Sequence, residues 1–183
     1  MPFQSTPLPG LMVFEPAVFR DERGYFTESY NARVFEDAGI LAEFVQDNQA
    51  FSRYGVVRGL HYQCGAQAQA KLVRVFHGEV LDVVVDLRTD SPTYGHSFSI
   101  RLSGENMLQL FVPRGFAHGY SVLSPEAVFF YKCDHYYHRE SEGGIHPLDP
   151  GLAIDWGLPP DQMTISEKDR DLPVFGNHRP FQP

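Results

Sequence analysis

Alternation of apolar and polar side chains with a period of two dominates the middle of this chain. From Lys71 to His77, Lys71, Val73, Val75 and His77 fall on one face and Leu72, Arg74 and Phe76 on the other. Past Gly78 the pattern resumes, with Leu81, Val83, Val85 and Leu87 on one face and Asp82, Val84 and Asp86 opposite. Further strands are predicted over Ser97–Leu102, Met107–Val112 and Ala127–His135, separated by turn signals at Ser91-Pro92, Ser103-Gly104 and Ser124-Pro125. Helical spacing is confined to two places. Asn31 is placed to cap a short helix over Arg33–Ala38 that Gly39 stops, and Ser166-Glu167-Lys168-Asp169 reads as a capping box opening a single turn. Many short strands with one or two short helices near the ends predict an all-β sandwich or jelly roll. A Pro- and Asp-rich tail after Gly157 is expected to wrap the outside.

Composition narrows this picture. The chain has 183 residues, 43% of them hydrophobic and 21% charged, enough apolar material for one packed domain and too much for wholesale disorder. Fourteen prolines and sixteen glycines suit strands joined by turns and argue against a helical bundle. A formal charge of −8 repels phosphate backbones, so nucleic-acid binding is not expected, while a local basic pocket for a small anion remains compatible. Cys64 and Cys133 are too few for a disulfide framework and lie outside any CxxC pair, so both are expected as reduced thiols, one of them buried in a strand. No signal peptide and no membrane-length apolar run is visible, and a soluble cytoplasmic protein is expected.

Candidate chemistry gathers in three places. The strand Arg58-Gly59-Leu60-His61-Tyr62-Gln63 carries two ionisable groups and a glycine. Lys71 opens the next strand on the face of Val73 and Val75. Pro113-Arg114-Gly115-Phe116-Ala117-His118-Gly119 is a turn-rich segment that delivers a histidine after an apolar strand. Each has an ordinary structural explanation when taken alone. A strand histidine is commonly a satisfied surface group, a strand-end lysine guards a sheet edge, and Tyr131 by default is a core aromatic.

Taken together, these residues resemble a known superfamily. Pro113-x-Gly115-x-x-His118 is similar to the second motif of the cupins, jelly rolls with a site inside the barrel. The first cupin motif supplies His-x-His and a glutamate for a divalent metal, whereas this chain reads His61-x-Gln63 without that glutamate. His61 and His118 with a cationic Lys71 nearby make a poor metal site, so no metal is expected. The resemblance then narrows to the dTDP-4-dehydrorhamnose 3,5-epimerases. It rests on Asp21-Glu22-Arg23-Gly24-Tyr25-Phe26-Thr27-Glu28, Gln46-Asp47-Asn48, the Arg58–Gln63 strand, Lys71-Leu72-Val73-Arg74-Val75, the Pro113–Gly119 segment, Tyr131-Lys132-Cys133 and Ser166–Asp169, in family order.

That resemblance implies a double-stranded β-helix barrel with short flanking helices, spanning residues 1–183 as one domain. It also implies inversion of C3 and C5 of a dTDP-linked 4-keto-6-deoxyhexose without metal or other cofactor. Both hydrogens flank the C4 ketone, so one cation near that oxygen serves either enolate, and inversion needs proton donors and acceptors on opposite faces. By the same resemblance His61 is the base, Asp169 its orienting carboxylate, Lys71 the enolate-oxygen partner and Tyr131 the acid, with Tyr137 next in line. Arg23, Phe26, Glu28, Gln46, Asn48, Arg58, His118, Glu142 and Lys168 are implied to contact the substrate. A homodimer with exchanged N-terminal strands is implied as well.

Two features sit awkwardly in this reading. Arg58 and His61 are three residues apart, so a regular strand would aim them at opposite faces unless Gly59 marks a bulge. Cys64-Gly65 stands where the family pattern leads one to expect a proline-containing turn. Three functional classes stay in play on the residues alone: an epimerase of both centres or of one, a metal-dependent cupin oxygenase, and a non-catalytic sugar-binding jelly roll.

Overall fold

The computed structural model describes residues 2–182. Along the chain come β1 (Phe3–Ser5), β2 (Met12–Phe14), β3 (Val18–Asp21), β4 (Gly24–Thr27), α1 (Ala32–Asp37), β5 (Gln46–Arg53), β6 (Val56–Gln63) and β7 (Lys71–His77). They are followed by β8 (Glu79–Asp86), β9 (Ser97–Ser103), β10 (Gln109–Val112), β11 (Phe116–Val122), β12 (Glu126–Cys133), β13 (Glu142–Gly144), β14 (Thr164–Ile165) and α2 (Glu167–Arg170). One sheet runs in the order β1-β2-β10-β7-β12-β5 and faces a second, β13-β6-β11-β8-β9, to which β14 adds parallel to β6. Apart from that strand, the pairing within the two sheets is antiparallel, giving the jelly roll that cupins share.

Two-residue periodicity sorts the side chains into layers. Val73, Val75, Leu110, Val112 and Phe129 of the first sheet meet Val80, Val84, Tyr120 and Val122 of the second in the central core. On β8 the more apolar face points away from this core. Val83 and Val85, with Leu87 beyond the strand, lie under Ile145, Trp156, Leu158 and Ile165, supplied by the chain after β12. Leu72 and Phe111 on the outer face of the first sheet are covered in the same way by Phe35 and Ile40 around α1. Both sheets are therefore buried on two faces over much of their width, and Asp82 is left on the inner one. No helix among the described residues is long and apolar enough to cross a membrane.

Several boundaries differ from the alternation pattern for local reasons. Asn31 caps α1 by accepting the Arg33 N–H at 3.1 Å, and Gly39 at φ +81° follows its end. The strand expected from Met107 starts at Gln109, because Met107 is left-handed (φ 53°) and closes a turn onto Ser103 at 3.1 Å. The strand expected to reach His135 stops at Cys133, where the Asp134 carboxylate turns to accept the Ala70 N–H at 2.7 Å and binds Arg114. The segment around His118, expected to be turn-rich, is strand from Phe116 onward and buried throughout, the turn ending at Gly115 with φ +90°. After Gln63 the chain makes a short 3₁₀ turn over Gly65–Gln67, which Gly65 enters at φ +62°.

Trp156 is fully buried, and its indole N–H donates to the Pro147 carbonyl at 2.8 Å. Replacing Trp156 by Ala is expected to lower the unfolding free energy by about 3–5 kcal/mol, measured by urea denaturation followed by circular dichroism. A loss below about 1 kcal/mol would mean that the segment after β13 lies on the sheet without forming part of its core.

Candidate active site

Between the sheets, where β5, β12 and β7 face β6 and β11, lies a cavity of about 500 Å³. Its shape depends on an irregularity in β6. Across the β6–β11 ladder, His61 pairs with His118 and Arg58 with Tyr120, so three steps on β6 match two on β11. The extra residue turns both Arg58 and His61 into the cavity, which strict alternation would forbid. Gly59 makes the bulge with φ +124°, and a Cβ there would lie 2.6 Å from the Gly119 Cα. Only glycine fits at that crossing.

His61 Nε2 lies 2.7 Å from Asp169 Oδ1. Asp169 sits on α2, held by the Ser166 cap through its own N–H at 3.1 Å, and its second oxygen accepts the Gly59 N–H at 3.3 Å. Burial works against the Asp169 charge, but the hydrogen bond and charge of His61 together with the Gly59 N–H outweigh it. They hold the carboxyl below its usual range. The pair is a charged acceptor fixing an imidazole that still reaches the cavity.

The facing wall comes from the first sheet. Lys71, Cys133 and Gln46 share one cross-strand row, and Val73, Tyr131 and Asn48 the next. Lys71 Nζ lies 5.8 Å from the centre of the Tyr131 ring. Burial lowers the Lys71 pKa, partly offset by the Cys133 thiol and the Asp82 and Glu142 carboxyls. Tyr131 is pushed up to about 12, chiefly by burial, so its hydroxyl stays protonated at neutral pH. His118 Nε2 meets Asp82 Oδ2 at 2.9 Å on the cavity floor, and Asp82 is 0% exposed. Burial raises the Asp82 pKa while His118 and Lys71 pull it back. Asp82 did not stand out in the sequence. Its signal was a carboxylate sharing a strand face with Val80 and Val84, both of which pack inward.

At the mouth, Lys168 Nζ donates to Glu142 Oε1 at 2.7 Å and the Tyr137 hydroxyl donates to Glu142 Oε2 at 3.2 Å. Gln46 Nε2 donates to Asn48 Oδ1 at 3.1 Å, and Arg58 Nε donates to the Ser52 hydroxyl at 3.1 Å. Ten of the residues singled out in the sequence, His61, Lys71, Tyr131, Asp169, Gln46, Asn48, Arg58, His118, Glu142 and Lys168, thus line one cavity. Arg23, Phe26 and Glu28 do not. Arg23 pairs with Asp21 on the β3–β4 hairpin, Phe26 is 69% exposed there, and Glu28 accepts from the Asn31 side chain at 3.0 Å.

A histidine of one sheet, paired with a carboxylate from α2 and facing an ammonium and a phenol on the other sheet, defines a jelly-roll enzyme built for proton transfer beside a carbonyl. Comparison with known proteins gives this class its family. The dTDP-4-dehydrorhamnose 3,5-epimerase profile matches residues 5–177. The chain belongs to that family and is an isomerase. It is 52% identical over 171 residues to the dTDP-4-dehydrorhamnose 3,5-epimerase of Pseudomonas aeruginosa, covering 93% of each chain. It superposes with a TM-score of 0.93 and 48% identity on the dTDP-6-deoxy-D-glucose-3,5-epimerase of Legionella pneumophila in complex with dTDP-4-keto-L-rhamnose, covering 99% of this chain and 98% of that one. A 3'-monoepimerase from Streptomyces bikiniensis in complex with dTDP-quinovose superposes less closely, with a TM-score of 0.86 and 30% identity over 93% of this chain and 86% of the other.

The bulge gives a direct test of how the cavity is built. Gly59→Ala is expected to lower stability by about 1–3 kcal/mol, because the new Cβ needs room where Gly119 lies. It should also reduce turnover at least about 10²-fold by displacing His61. Denaturant midpoints and initial rates measure the two effects. Wild-type values for both would show that β6 keeps its register without a glycine.

Proposed function

We propose that the enzyme converts dTDP-4-dehydro-6-deoxyglucose to dTDP-4-dehydro-L-rhamnose by inverting C3 and C5 in turn. The observation that carries this reading is the opposition of His61, backed by Asp169 from α2, to Lys71 and Tyr131 on the other sheet across a single cavity. His61 takes the proton from the carbon beside the ketone, and the bonding pair moves to leave negative charge on the C4 oxygen. The Lys71 ammonium meets that oxygen, where one preorganised donor is typically worth about 3–4 kcal/mol. The Tyr131 hydroxyl delivers a proton to the opposite face of the same carbon, and both groups reset by exchange with solvent before the second centre reacts. Asp169 stabilises the imidazolium as it forms.

Gln46, Asn48, Arg58, His118, Glu142 and Lys168 hold the nucleotide and sugar in this scheme, with the cationic side chains suited to the pyrophosphate. Closer likeness to the 3,5-epimerases than to the monoepimerase supports inversion at both centres. The donor set supports chemistry without a metal: His61 and His118 each turn Nε2 to a carboxylate, and the Lys71 charge would repel a cation. Two free cysteines suit the reducing cytoplasm, where we place the enzyme.

The reading includes a homodimer. β1 and β2 join the chain's own first sheet, whereas the β3–β4 hairpin pairs with no other strand among the described residues and exposes Phe19, Tyr25 and Phe26 by 65%, 55% and 69%. Phe51 and Phe76 are likewise exposed on strands of the first sheet. Apolar surface in this quantity favours association, and the hairpin of one subunit is the element free to bring Arg23, Phe26 and Glu28 to the cavity of the other. Substituting Phe26 by Asp should shift sedimentation from dimer toward monomer and lower kcat/KM together with it. Sedimentation of the unmodified protein as a monomer at micromolar concentration would contradict the arrangement.

The roles of His61 and Tyr131 separate in deuterium oxide. His61→Ala should lower both inversion and solvent deuterium uptake at C3 and C5 by about 10²–10⁴-fold, since no enolate forms. Tyr131→Phe keeps the ring and removes the acid, so uptake of deuterium from the His61 side should persist while inversion slows far more. NMR of the sugar nucleotide reports both quantities. Parallel loss of exchange and inversion in Tyr131→Phe would remove Tyr131 as the acid and direct attention to Tyr137.

A further inference from the structure

The segment after β12 runs across the cavity mouth and brings Tyr137 to it. Three glutamine side chains, all lining the cavity, bind the backbone of this segment. Gln46 Oε1 accepts the Tyr137 N–H at 3.0 Å, Gln63 Oε1 accepts the His138 N–H at 3.0 Å, and Gln69 Nε2 donates to the His135 carbonyl at 2.6 Å. Because each backbone partner can only donate or only accept, it fixes which way round the amide sits. Gln63 is 6% exposed and follows His61 by two residues on β6, at the position where metal cupins have their second histidine. The carboxylate that takes the Tyr137 hydroxyl belongs to Glu142, the residue paired with Gln63 across the β6–β13 ladder. Backbone and phenol of one short segment are thus tied to neighbouring points on the same wall.

We propose that Gln63 and Gln69 are positioning residues that tether residues 135–138 over the cavity, so that the position of a metal ligand in other cupins here sets the closure of the mouth on the sugar nucleotide. The kinetic part rests on the epimerase reading. The tether itself does not. Neither glutamine takes part in proton transfer, so loosening the segment weakens substrate capture while His61, Lys71 and Tyr131 keep their places.

The test uses amide hydrogen exchange by mass spectrometry together with steady-state kinetics on the full-length protein. Gln63→Leu and Gln69→Leu should each raise exchange in residues 135–138 about tenfold, the size expected for losing one buried hydrogen bond, with exchange in α1 and β8 unchanged. KM for the dTDP-4-keto sugar should rise by a similar factor, with kcat held within about threefold. The glutamate variants give an asymmetric signature. Gln63→Glu keeps an oxygen for the His138 N–H and should restore both values, whereas Gln69→Glu loses its only donor to the His135 carbonyl and should not. Unchanged exchange in the leucine variants would overturn the tether. Raised exchange with an unchanged KM, or a fall confined to kcat, would overturn its role at the mouth. A wild-type protein inactive on the dTDP-sugar would instead sink the epimerase reading and leave the exchange result standing.

Discussion

His61 and Asp169 are 108 residues apart in the sequence and 2.7 Å apart at their nearest atoms, and that one hydrogen bond requires most of the fold to be in place. Asp169 needs the Ser166 cap to fix its turn. The cap follows β14, which aligns with the start of β6 through the register of Thr164 with Val56 and Ile165 with Val57. His61 needs the Gly59 bulge to face inward, and the bulge needs Gly119 on β11 to leave room. The bulge, the Gly119 crossing and the β14 register are backbone requirements, so main-chain geometry locates His61 while one side-chain cap fixes the turn that carries Asp169.

Around that pair the cavity keeps ionisable groups where water is scarce, which is costly unless each has a partner. The arrangement meets the cost by alternating charge: Lys71 sees Asp82 and Glu142, Asp82 sees His118 and Lys71, and Glu142 binds Lys168. Burial also raises the Tyr131 pKa and lowers that of Lys71, holding the phenol in its neutral form and moving the ammonium closer to proton loss. An acid that stays protonated and a cation of moderated basicity are the properties that enolate chemistry needs. One environment produces both because desolvation disfavours the charged form of each, which is the deprotonated state of a phenol and the protonated state of an amine.

Much of this was legible in the residues. The strand alternation from Lys71 to Asp86 groups the side chains into faces as the structure does, and of the thirteen residues that the motifs assign to the site ten line one cavity. Three things were not legible, each for a physical reason. Period-two reasoning could not tell which face of β8 lies inside, since the face carrying Val83 and Val85 is covered by chain that arrives more than fifty residues later. The shared face of Arg58 and His61 is not written in β6 alone, because a bulge is a property of two paired strands. Nor are Gln63 and Gln69 legible as tethers, because their partners are backbone groups that carry no mark in a sequence.

The cover over the second sheet has a consequence for how the protein is made. Ile145, Trp156, Leu158, Ile165 and Asp169 are all translated after the last strand of either central core layer. A nascent chain that has completed β12 carries every strand of the central core, yet its strip of Val83, Val85 and Ala117 lacks the later cover and His61 lacks its carboxylate partner. Exposed apolar surface of this kind makes an unfinished chain prone to aggregation. Synthesis of the remaining stretch supplies both, so the apolar cover of the second sheet and the carboxylate that meets His61 arrive in one segment of chain.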